Sequence, residues 1–159
     1  MSDQRYKTIR HIEVVRNYLN TCIKELLHRQ EQHDQSKFDP EEALRFDAVK
    51  IELRDVTFGS DEYFTILNSI QPALDHHYKR NRHHPQHFEN GINDMNLIDL
   101  LEMIVDWKSS SLRHDNGDII QSIDINQKRF GYSDELKQIL INTAVWLNAS
   151  DTFHHAEES

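Results

Sequence analysis

Five of the chain's eleven histidines fall in one stretch, DHHYKRNRHHPQHF at residues 75 to 88: His76, His77, His83, His84 and His87. Imidazole nitrogen is a ligand for divalent transition metals and, when protonated, a contact for anions. Lys79, Arg80 and Arg82 are interleaved with these histidines, so the segment also reads as a rim that receives an anion. A lone histidine on an apolar stripe, as His77 is, more often belongs to a core. A pair followed within ten residues by three more is harder to assign that way. A second place for chemistry is HDQSKF, His33 through Phe38. There the neutral nitrogen of His33 and the charged oxygen of Asp34 suit one metal ion, and Lys37 is placed to meet a phosphoryl oxygen. In MNLIDLLEMIVDWKSSSL, Asp99, Glu102 and Asp106 are spaced by three and four, which puts three carboxylates on one helix face. A solvated acidic stripe is the plain explanation. The flanking Leu97, Leu101, Ile104 and Val105 argue instead that the column faces inward, where it needs a cation or a basic partner.

Helices have to hold these groups. Ile9, Ile12, Val15, Leu19, Cys22, Ile23 and Leu26 recur every three or four positions and predict a first helix or helix pair, with Cys22 at a core-like position. Asp39-Pro40 supplies a cap and a first-turn proline for a helix through Leu44 and Ile51 toward Thr57, closed by Gly59. Ser60 with Asp61 and Glu62 opens the next, whose stripe runs from Tyr63 through Ile66, Leu67, Ile70, Ala73 and Leu74 to His77; Pro72 imposes a kink or a restart. A loop carrying NRHHPQH leads to a helix from about Met95 to Leu112. Two more are expected near Asp118 to Phe130 and Ser133 to Leu147, separated by Gly131 and a fresh serine cap. Strand signals are weak, so the expected fold is all-α: a compact single-domain helical bundle over residues 1–150 with a polar tail at 151–159.

Composition narrows the setting. A single cysteine excludes a disulfide within the chain and favours a reducing, cytoplasmic location. No apolar run approaches the roughly 18 residues that span a bilayer, so no membrane partner is expected. The net charge of -9 argues against binding duplex nucleic acid through its backbone but leaves room for a local pocket that takes one phosphate group. A small-molecule nucleotide fits these limits, and the amphipathic helix faces permit a homodimer.

These motifs resemble the HD-domain metal-dependent phosphohydrolase superfamily, in which a histidine on an early helix, a His-Asp pair and a later helical aspartate hold one metal. The resemblance implies His11 in IRHIEVV, His33 and Asp34 in HDQSK, and Asp106 in EMIVDW as ligands. It is closest to the HD-GYP branch, in HDQSK and in LDHHYKRNRHHP followed by LIDLLEMIVDWKSSS. There the double histidine carries a second metal, which implies the same for His76 and His77. Departures are also plain: RHHPQH replaces the GYP tripeptide, no histidine occurs between Asp34 and His76, and Lys7 stands where that branch has a glutamate. The chain is also similar to a small uncharacterised family of phage and bacterial genomes that shares HD.SK, HHP.H and EM..DW, which implies a bacterial cell or a phage-infected host.

His11 and His33 are 22 residues apart, so an unbroken helix at roughly 1.5 Å per residue separates them by about 33 Å. Either the chain reverses near Asn20-Thr21, or His11 acts elsewhere and His77, His83, His84 or Glu102 completes the shell. The resemblance implies a hydrolase of nucleotide phosphoesters or anhydrides that uses one or two Mn, Co, Fe or Zn ions and attacks phosphorus with metal-bound hydroxide. In that reading Lys37, Glu102 and Asp106 serve catalysis, Glu102 by orienting water or a ligand histidine. Arg80, Arg82, His83, His84 and His87 contact substrate. The alternatives are a protein that sequesters a nucleotide or metal without turnover, and a helical scaffold whose histidines merely line its surface.

Overall fold

No proline or glycine occurs between Asp3 and Gln32, and nothing else interrupts the helical hydrogen bonding there. A computed structural model describes residues 3–53, 56–57, 59–112 and 117–155. In it α1 (Asp3–Gln32) is a single unbroken helix that passes straight through Asn20 and Thr21. It makes up the first of two units, residues 1–33, and residues 34–159 form the second. Because α1 has no other helix of its own unit to pack on, Cys22 is exposed and not in a core as its spacing suggests.

The second unit carries six further α-helices: α2 (Pro40–Glu52), α3 (Asp61–Ser69), α4 (Gln71–Arg80), α5 (Leu97–Ser111), α6 (Ile119–Phe130) and α7 (Asp134–His155). Short 3-10 turns occupy Gln35–Phe38, Pro85–His87 and Gly91–Asp94, and no strand occurs among the described residues. The fold is all-α, and no described helix is long and apolar enough to cross a membrane.

Local chemistry sets most boundaries. Ser60 caps α3 by accepting from the Tyr63 N–H at 3.2 Å. Pro72, which has no N–H to donate, sits in the first turn of α4, so the long stripe divides into two helices at Ile70. Asn96 and Asp99 form a reciprocal capping box at the start of α5. Gly131 ends α6 in the left-handed conformation, φ 68°. The last helix continues to His155, past Leu147 and into the stretch expected as a tail.

Two apolar clusters hold the second unit. Val49, Ile70 and Leu74 pack with Phe46, Leu53, Ile66, Leu67 and Tyr78 where α2, α3 and α4 meet. Met103 and Ile104 of α5 join Ile119 and Ile123 of α6 and Leu140 and Ala144 of α7, with Trp107 stacked parallel to Phe130 at 6.2 Å. The inward face of α2 is Glu42, Phe46 and Val49, continued by Leu53 just after the helix, whereas Leu44 is 81% exposed.

Tyr132 follows Gly131 and turns its ring into the larger cluster, where its hydroxyl donates to the Ile123 carbonyl at 2.6 Å. Burial, with Asp124 nearby, pushes the phenol well above its ordinary range, so it remains a donor at any physiological pH. Tyr132→Phe should lower unfolding free energy by about 1–2 kcal/mol, the usual effect of leaving a buried acceptor unmatched. Urea melts followed by circular dichroism would read the change; an unmoved midpoint would mean the bond contributes nothing.

Candidate metal centre

Asp34 begins the second unit with φ 57°, the one non-glycine residue in the left-handed region among those described. Aspartate is among the few side chains that tolerate this conformation. The turn separates the two oxygens of its carboxylate: Oδ2 pairs with Lys37, while Oδ1 faces two histidines. His77 Nε2 lies 3.3 Å from Oδ1 and His83 Nε2 lies 3.5 Å from it.

His77 occupies the inward face of α4 in the turn before Asn81, and His83 follows the helix by a few residues; both are buried. Each is backed by a carboxylate on its other nitrogen. Glu42, with no exposed surface, places Oε2 2.9 Å from His77 Nδ1, and Glu102 of α5 places Oε1 3.1 Å from His83 Nδ1. His84 brings its Nε2 to 2.8 Å from His77 Nε2. The donors of Asp34, His77, His83 and His84 thus form one set within 4.8 Å of one another, and Asp106 of α5 offers a carboxylate oxygen within 4.8 Å of Asp34 and His83.

Charge states suit metal binding. Burial holds the His77 imidazole below its ordinary range, against the opposing influence of Asp34 and Glu42, so at neutral pH it is uncharged and has a lone pair to give. Burial pushes the Glu42 carboxyl up, but hydrogen bonds with His76, Ser36 and His77 outweigh this and hold it below the usual glutamate range. Metal–ligand bonds of ~2.0–2.2 Å leave neighbouring donors roughly 3–4 Å apart, the spacing found around Asp34 Oδ1. Imidazole with carboxylate is the donor set of zinc, iron, manganese or cobalt, not of calcium or magnesium.

Other residues expected at the site have different places. His11 is a correction: it lies in the first third of the unbroken α1, about 33 Å along the axis from His33, and the two cannot share an ion. His33 closes the first unit, its N–H bonded to the Arg29 carbonyl at 2.7 Å, and is the covalent neighbour of Asp34. His76, expected as a ligand, directs Nδ1 to Glu42 Oε1 at 2.7 Å and belongs to no converging set among the described residues. His83 and His84, expected on the substrate rim, are instead among the converging donors, because the chain folds back toward α5 directly after α4. His87 turns its Nδ1 to the Tyr78 carbonyl at 2.9 Å, and Arg80 is largely exposed with Asp39 near it at 3.8 Å.

The acidic column of α5 does face inward, but its members divide the work. Asp99, with no exposed surface, takes two hydrogen bonds from Arg82, at 3.2 Å from Nε and 3.0 Å from Nη2, while also capping its own helix. The Arg82 guanidinium lies over the Phe88 ring at 4.8 Å. Glu42 is the site residue that apolar spacing passes over; the signal for it is the phase set by Phe46, Val49 and Leu53, which places residue 42 inside.

The sequence profile of a family of unknown function, DUF5662, matches residues 1–149. The chain belongs to that family. No curated protein and no solved structure matches it. What this DUF5662 chain does is therefore argued from the site itself.

Arg82→Ala should lower unfolding free energy by about 2 kcal/mol, because it removes two charge-assisted hydrogen bonds from a carboxylate that stays buried. An unchanged denaturation midpoint would return Arg82 to the substrate rim.

Proposed function

We propose that the chain is a metal-dependent phosphohydrolase that acts on a nucleotide-derived phosphoester or anhydride. The observation that carries this reading is the convergence of His77 Nε2 and His83 Nε2 on Asp34 Oδ1, each histidine backed by a carboxylate on its other nitrogen. In this reading Asp34, His77, His83, His84 and Asp106 hold one or two ions. A bound divalent ion would supply an activated water at neutral pH and polarise a phosphoryl oxygen. Glu102 keeps His83 oriented, while Lys37 and the exposed Arg80 supply positive charge for the phosphate.

A second reading has its own support. Asp34, His77, His83 and His84 are four protein donors, and four donors fill a tetrahedral shell as structural sites do. Such a centre would hold a metal, or a nucleotide through it, without turnover.

One experiment separates the two. Metal-stripped protein reloaded with Mn, Co, Fe or Zn is incubated with a panel of nucleotides, and products are read by phosphorus NMR. Hydrolysis is expected, and Asp34→Asn, which keeps a side chain tolerant of the left-handed turn, should reduce it roughly 100-fold or more, since even outer partners of a ligand are worth ~10–100-fold. Stoichiometric metal with every nucleotide returned intact would favour the holding reading. No metal uptake at all would remove both.

A further inference from the structure

We propose that Glu42 is the positioning residue of the metal centre: its buried carboxylate fixes the proton of His77 on Nδ1 and so presents the Nε2 lone pair to the ion. The inference rests on the metal reading above, and it assigns to His76 a role in holding Glu42 and not in ligating metal.

The hydrogen-bond inventory around His77 Nδ1 decides where the proton sits. Three groups lie near that nitrogen: Glu42 Oε2 at 2.9 Å, Asn81 Nδ2 at 3.1 Å and Ser36 Oγ at 3.3 Å. The Asn81 amide has two protons, and both have better partners, Ser36 Oγ at 2.7 Å and the His77 carbonyl at 2.8 Å. Asn81 therefore has none to give to Nδ1. Ionised Glu42 can only accept. The closest pairing is satisfied when Nδ1 carries the proton and donates it to Glu42, and the Nε2 that remains is the atom 3.3 Å from Asp34 Oδ1 and 2.8 Å from His84 Nε2.

The same argument fixes His76. Its Nδ1 lies 2.7 Å from Glu42 Oε1, and that acceptor too requires a proton on the nitrogen. One carboxylate thus accepts a hydrogen bond from each of two adjacent histidines, one oxygen apiece. The pairing locks Glu42 from the solvent side, since the His76 side chain is 27% exposed and Glu42 is not exposed at all. Glu42 reaches this position because it lies in the first turn of α2, on the same inward face as Phe46, whose ring meets the His77 ring edge-on at 5.5 Å. Carboxylates that hold the far nitrogen of a metal-bound histidine raise its basicity and set its ring plane, and their loss weakens metal binding on the order of 10- to 100-fold.

The test needs two readouts. In metal-free wild-type protein, nitrogen–proton correlation NMR of the histidine rings should show His77 and His76 in the Nδ1–H form; an Nε2–H form of His77 overturns the proposal. Titration with Co2+, followed by visible absorption, should then show Glu42→Gln binding roughly 10- to 100-fold more weakly than wild type. The amide can donate as well as accept, so Glu42→Gln should also give mixed tautomers at His77. His76→Gln should weaken Co2+ by less than Glu42→Gln does. Should Glu42→Gln fail to fold, Glu42→Asp, which keeps the acceptor but shortens its reach, takes its place with the same expectation. Folded protein of either variant with wild-type Co2+ affinity overturns the assignment of Glu42 alone, whereas a wild type that binds no Co2+ removes the metal reading and this inference together.

Discussion

A carboxylate without exposed surface is tolerated only where hydrogen bonds replace the water it has lost, and in this chain Glu42 is such a group. Its partners His76 and His77 lie on α4, so the satisfaction of one buried charge ties the start of α2 to the end of α4. Asn81 adds to the tie by bonding Ser36 and capping α4 through the His77 carbonyl. The turn at Asp34 and the 3-10 segment after it are held against the same helix. Polar contacts thus extend a small apolar cluster of Val49, Ile70 and Leu74 into the site.

The opposite wall is built by the same means. Glu102 stands behind His83 as Glu42 stands behind His77, and Arg82 anchors the segment between them to Asp99 at the start of α5. Two carboxylate–histidine pairs from different helices meet at one oxygen of Asp34. Such convergence has a physical cost, since each buried charge must keep every partner in place. A purely structural role would be served as well by apolar side chains of similar volume, which is why the arrangement argues for a ligand.

Helix chemistry was legible where single residues dictate it. Ser60 caps α3, Pro72 forces the restart into α4 and Gly131 ends α6, because a hydroxyl acceptor, a missing N–H and a positive φ act locally. The inward turn of the α5 acids was likewise visible from the apolar residues beside them, although their separate partners were not. What failed was phase and proximity. Apolar counting passed over Glu42, since a buried carboxylate looks polar until its partners are known. Cys22 looked buried because spacing reports an amphipathic stripe and says nothing of what covers it. His83 and His84 looked like loop residues because local sequence gives no measure of the fold-back that brings them to α5. His11 was tied to His33 by a resemblance, and the continuity of α1 undid it.

The two sets of converging donors among the described residues have Asp34 and His83 in common, and this sharing would set what an ion held there could do. Completed by His77 and His84, the shell consists of protein atoms alone. With Asp34, His83 and Asp106 as its three protein ligands, the proposed centre would leave a fourth position for water or a phosphoryl oxygen. In the proposed reading, catalysis and retention would therefore differ not in the site but in which neighbours of Asp34 engage an ion. Glu42 would act on one side of that choice through His77, and Glu102 holds the histidine common to both sets. Because Asp34 Oδ2 is already engaged by Lys37, an anion that draws Lys37 away would free a second oxygen of the shared aspartate. A phosphate group of the proposed substrate would be an anion of that kind, and its arrival would then be coupled to the completion of the shell through one lysine.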